Sequence, residues 1–138
     1  MGLNFLQKEC TFQLTEKNKH RSWIKDVILR HGYSPGSISF IFSSDPAILE
    51  INNSFLNHNY VTDVITFDYS EKGLVSGDVF IGVDEVKRNA QLYEVEFPSE
   101  LRRVMIHGIL HLMGFDDGTE EQRAGMRHSE DEALGLWS

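Results

Sequence analysis

The chain has 138 residues, 41% hydrophobic and 25% charged, enough for one domain around one core. Its formal net charge of −8 argues against a protein that coats nucleic acid broadly, although residues 1–31 carry six Lys/Arg against three acids, and residues 115–138 carry two Arg against seven acids. No apolar run is long enough to span a membrane, Met1 to Leu6 lacks the pattern of a secretory signal, and the single Cys10 rules out an intramolecular disulfide and suits a reducing cytoplasm.

In chain order, Asn4 to Leu14 reads as extended, with Phe12 and Leu14 on one face. Thr15 is placed to cap a helix that runs to about His31, stops at Gly32 and turns Trp23, Ile24, Val27 and Ile28 inward. Ser37 to Phe42 alternates as a strand. Asp45-Pro46 is a cap followed by proline at the first helical position, opening a helix that buries Ile48, Ile51 and Phe55. Asp63 to Tyr69 and Val79 to Val83, separated by a turn at Gly73, predict an antiparallel strand pair. Asp84 starts a helix ending near Val95, Pro98 and Ser99 open another that closes at Gly114, and Thr119 to Gln122 fits a capping box for a last helix reaching about Leu134. The expected fold is a single α+β domain over residues 1–138, with a mixed sheet of about four strands, about five helices and a metal site at the end of a central helix.

The chemistry concentrates in His107-Gly-Ile-Leu-His111-Leu-Met-Gly114-Phe-Asp116-Asp117. Residues i and i+4 share a helix face, so the two imidazoles project side by side and can reach one ion. Leu101, Val104, Met105, Gly108, Ile109 and Leu112 form the core stripe, while Ile106, Leu110 and Met113 widen the apolar arc, so the histidines are expected to line a pocket. Gly114 ends the helix, and Asp117 lies within reach of both rings. Two His and one carboxylate leave a position on tetrahedral zinc for a water whose pKa falls to about 7. The same donors suit iron, manganese or nickel. The plainer alternative is two polar groups at a core edge. Gly108 stands where a metalloprotease carries its Glu base, so protease chemistry is not expected.

The run His107 to Asp117 resembles the signature His-Gly-x-Leu-His-Leu-x-Gly-Tyr-Asp-His of the YbeY family, bacterial single-strand-specific endoribonucleases that act in ribosomal RNA maturation. Thr62-Asp63-Val64-Ile65-Thr66-Phe67 resembles the family's Pro-Thr-Asp-Val-Leu-Ser-Phe, Gly77-Asp78-Val79-Phe80-Ile81 its Gly-Asp-Ile-x-Ile strand, and Met126, Glu130 and Leu134-Gly135 its last helix. The resemblance implies a Zn²⁺ ion held by His107, His111 and, in place of the family's third His, Asp117. It implies a metal-dependent endoribonuclease of the cytoplasm that processes the 3′ end of 16S rRNA, with single-stranded rRNA and the small ribosomal subunit or its proteins as partners and no membrane. The family's Arg ahead of the Thr-Asp-Val segment is missing from Phe55-Leu56-Asn57-His58-Asn59-Tyr60-Val61, and Val61 replaces its Pro. Arg103 or His58 could stand in for that cation, Asp116 is either a turn residue or an orienting partner for a His, and Tyr60, Tyr69 and Phe115 are candidate stacking residues, Phe115 more simply a core one. The missing Arg motivates an alternative, a non-catalytic, metal-stabilised ribosome-assembly factor that binds RNA or a ribosomal protein. A hydrolase of some small substrate is a third reading.

Overall fold

The computed structural model describes residues 2–138 as β1 (Gly2–Lys8), α1 (Lys17–Arg30), β2 (Ser34–Ser43), α2 (Asp45–Leu56), β3 (Val64–Asp68), β4 (Leu74–Gly82), α3 (Val83–Leu92), α4 (Phe97–Leu112) and α5 (Glu120–Gly135). The sheet order is β1-β2-β4-β3, with β1/β2 and β2/β4 parallel and β3/β4 antiparallel. This is the mixed four-stranded sheet with five helices that the patterning leads one to expect.

Alternation along the strands divides the sheet into two faces. Ile38, Phe40, Phe42, Val79 and Ile81 point into the main core, where Trp23, Ile24, Val27 and Ile28 of α1 and the apolar stripe of α4 meet them. Ile65, Phe67 and Phe80 point the other way, against Ile48 and Ile51 of α2. Helix α4 lies between α3, α5 and the β3–β4 pair. It comes closest at Gly108, where a Cβ would stand 2.6 Å from Val79 Cγ1. Trp23 of α1 donates its indole N–H to the Ala133 carbonyl of α5 at 2.8 Å, tying the outer helices together.

Several local readings shift. β1 ends at Lys8 because its partner β2 ends at the paired Ser43; Phe12 and Leu14 still turn inward, from a segment that is not a strand. Thr15 does not cap α1: Glu16, left-handed at φ 54°, takes the cap position without a side-chain bond. Ser44, one residue before Asp45, caps α2 by accepting from Ala47 N, so Pro46 sits one place later than expected. Phe55 is not buried; it is 69% exposed near the end of α2 and meets Phe67 edge-on. β4 starts at Leu74, and α3 follows it directly from Gly82, with Asp84 in its first turn rather than at the cap. The capping box at Thr119 and Gln122 forms as read, and the left-handed Gly32 follows the end of α1.

Glycines give opposite expectations for one substitution. At Gly77 a Cβ would meet Leu112 Cδ2 at 2.8 Å and the Phe67 carbonyl closer still, whereas Gly125 on exposed α5 has nothing within 4 Å. Gly77→Ala should therefore destabilise by about 1–3 kcal/mol, and Gly125→Ala should stabilise by about 1 kcal/mol; urea unfolding of the two variants checks both signs.

Buried His20 gives a pH test. It packs on Trp23 and Trp137 and donates to the Glu16 carbonyl at 3.0 Å. Burial, the largest cause, holds its pKa below the ordinary 6.5, against the opposing pull of that hydrogen bond. The unfolded chain then binds a proton that the folded chain excludes, so this contribution is complete above 6.5 and is lost as pH falls below it. Relative to His20→Phe, the wild type should lose stability between about pH 7.5 and pH 5, read by denaturant titration; a constant difference between the two chains would contradict it.

Candidate metal centre

His107 and His111 leave α4 beside Gly108 at the β3 edge of the sheet, where both rings border the same recess as residues 62–66. Their rings lie 4.6 Å apart between centroids, and their Nε2 atoms 3.0 Å apart. Left-handed Gly114 (φ 94°) reverses the chain, and Phe115 N bonds back to the Leu110 carbonyl at 3.0 Å. That reversal brings Asp117 Oδ2 to 3.3 Å from His107 Nε2 and 3.4 Å from His111 Nε2. The three sequence candidates thus offer one donor atom each to a common point.

The hydrogen bonds behind the rings fix what these atoms can do. His111 Nδ1 lies 2.9 Å from the Phe115 carbonyl, which can only accept, so Nδ1 carries the proton and a neutral ring offers its Nε2 lone pair. His107 Nδ1 lies 2.7 Å from Glu130 Oε2, an equally one-way partner. Two nitrogen lone pairs and a carboxylate oxygen within 3.4 Å repel one another unless a positive charge lies among them, either a metal ion or a proton on His107 Nε2. Tetrahedral bonds of about 2.0–2.1 Å put ligand atoms about 3.3 Å apart, so the spacing fits a zinc-sized ion.

Glu130, 6% exposed, is the pivot of the outer layer. Its Oε1 accepts from Arg103 at 2.8 Å, and Arg103 also donates to Asp131 at 2.7 Å. Burial pushes the Glu130 carboxyl upward, but the His107 and Arg103 hydrogen bonds outweigh it and hold it below the usual carboxylate range. At His107 burial lowers the pKa, yet the bond to Glu130 and the charges of Glu130, Asp117 and Asp63 leave it above the ordinary imidazole value. Asp63, just before β3, accepts from Asn89 Nδ2 at 3.2 Å, and its carbonyl accepts from Gly82 N at 2.8 Å. Burial raises its pKa, against the lowering influence of His107.

A cleft of about 700 Å³ opens on one side of the triad, between α3 and α5 with α4 as its floor. A second hollow of about 310 Å³, lined by Leu56 and residues 62–66, opens on the other. His107, Asp117 and Asp63 border both, so the donors sit where two recesses meet.

The remaining candidates fare unevenly. Arg103 reaches the cleft, but Glu130 and Asp131 hold its guanidinium, so it is no free cation. His58 stacks on Tyr60 at 5.1 Å in the α2–β3 loop and borders neither recess. Tyr69 bonds to Asp78 at 3.3 Å beside the β3–β4 turn, also away from both. Phe115 packs on the core and on His31. Asp116 is exposed, and the orienting role belongs to Glu130. Glu130 and Asp63 entered the sequence reading only through the family motifs. The signal for Glu130 was an acid in register with Met126 and Ala133 on the buried face of α5.

The solution structure of TM1509 from Thermotoga maritima superposes with a TM-score of 0.66 at 25% identity, covering 98% of this chain and 91% of that one. Relatives named Endoribonuclease YbeY are 43% identical in Flavobacterium psychrophilum (94% of this chain, 92% of that protein) and 47% identical in Azobacteroides pseudotrichonymphae (97% and 96%). A third, from Phocaeicola vulgatus, is 46% identical over 89% of each chain. The family model for Endoribonuclease YbeY matches residues 4–138, and the chain belongs to that endoribonuclease family.

Proposed function

We propose that this chain is a metal-dependent endoribonuclease that cuts single-stranded RNA, with one zinc ion held by His107, His111 and Asp117. The convergence of three donor atoms at 3.0–3.4 Å, with both Nδ1 atoms committed to outer acceptors, carries the reading. Two imidazoles and a carboxylate suit zinc in a catalytic setting. Family membership supports ribosomal RNA as the substrate, the 3′ end of 16S rRNA as the place of cleavage and the small subunit as the setting. No described helix is long and apolar enough to cross a membrane, which accords with work in the cytoplasm.

When bound, the ion would polarise a phosphoryl oxygen and supply a hydroxide nucleophile at neutral pH. The rest falls to the chain's own residues. Glu130 and the Phe115 carbonyl keep both Nε2 atoms turned to the common point. Asp117, on a loop and partly open to solvent, leaves the two recesses as the approach for an extended strand. A single strand can lay its backbone across such a ridge and turn its bases into the recesses, which a stacked duplex cannot do.

His111→Ala should reduce bound metal from one ion per chain to near none and abolish cleavage of a single-stranded 16S rRNA 3′ fragment, measured by elemental analysis and gel assay. Equal cleavage by variant and wild type would sink the enzymatic reading. Glu130→Gln should keep the fold but weaken zinc affinity about 10–100-fold, read by competition with a chromophoric chelator; unchanged affinity would show that the bond to His107 does not tune the site.

A further inference from the structure

We propose that Arg123 and Arg127 of α5, together with Tyr93 at the end of α3, form a nucleotide subsite beside the metal centre that takes one backbone phosphate and its base from single-stranded RNA. The inference rests on the endoribonuclease reading.

Most arginines here already have partners. Arg30 pairs with Asp26, Arg88 with Asp45 and Glu85, and Arg103 with Glu130 and Asp131. Arg21 donates to the Leu3 carbonyl and Asn18, and Arg102 lies over Trp137. Among the described residues, neither Arg123 nor Arg127 forms a salt bridge, although their segment carries seven acids. They stand one helical turn apart, on the same face, on the wall of the 700 Å³ cleft that ends at His107 and Asp117. Two like charges at that spacing repel, and an anion between them relieves the repulsion. Arg123 Nη1 reaches the carbonyls of Asp117 and Gly118 at 3.5 and 3.4 Å. Those contacts register the guanidinium against the metal-ligand loop and leave most of its five N–H donors free for phosphate. Tyr93, 59% exposed, stands on the α3 wall of the same cleft. An exposed aromatic on one wall and unpaired guanidinium groups on the other match the two halves of a nucleotide.

The test compares metal-loaded wild type with Arg123→Gln/Arg127→Gln, Arg123→Lys/Arg127→Lys, Tyr93→Ala and, as a remote charge control, Arg30→Gln. Binding of a non-cleavable 2′-O-methyl single-stranded oligoribonucleotide is followed by anisotropy across a salt series, and KM and kcat are measured on the cleavable strand. The double Gln variant should bind about tenfold more weakly, with a log–log salt slope shallower by about 0.7, the value for one lost phosphate contact on a single strand. Its loss should fall on KM rather than kcat, with bound metal intact. The double Lys variant should restore the slope, Tyr93→Ala should raise KM without altering it, and Arg30→Gln should match wild type. A wild-type slope and KM in the double Gln variant, equal losses in Arg30→Gln, or a wild-type KM in Tyr93→Ala would overturn the subsite while leaving the nuclease standing. Wild type that neither binds nor cuts RNA would overturn the nuclease reading and the subsite with it.

Discussion

The close approach of α4 to β4 governs this fold. One helix must bury an apolar stripe against the sheet and still hold two half-buried imidazoles in a recess beside β3. Gly108 makes that possible, because any side chain there would collide with Val79. The glycine also stands one residue after His107, so the position that brings the helix down onto the sheet is part of the metal-ligand motif itself. Packing and chemistry are set by the same few residues.

Around that contact the polar groups form a graded series. Glu130 is buried and tolerable only because Arg103 and His107 both bond to it. Asp63 is buried with weaker support from Asn89 and carries a raised pKa. Asp117 is the most open of the three, the one placed to contact an ion and solvent together. In a chain of net charge −8, the cleft beside the site also carries buried Glu100, and the two arginines of α5 stand on its wall without a salt bridge.

Much of this was legible in the residues. Helix periodicity, the Thr119–Gln122 capping box, Gly32 and Gly114 are local signals, and local signals survive folding. The antiparallel β3–β4 pair and the His107–His111–Asp117 cluster were readable for the same reason, since their members lie within one hairpin or one helix and its exit. What was hidden depends on distant partners. Phe55 has the spacing of a core residue, but the small sheet face under α2 ends before reaching it. Arg103 looked like a free cation because Glu130 and Asp131 lie on another helix. β1 looked longer than it is because only the ladder with β2 sets its end.

The short span from Gly114 to Thr119 has a further consequence. A left-handed turn bonded back to Leu110 fixes one end, and a reciprocal cap fixes the other. Asp117 lies between them with little chain left to order. Capturing an ion therefore costs about the few rotamers of one short side chain, not the wrapping of a loop. On the proposed metal reading, such a site would hold its shape between occupancies, and an ion would leave and return without α5 having to undock.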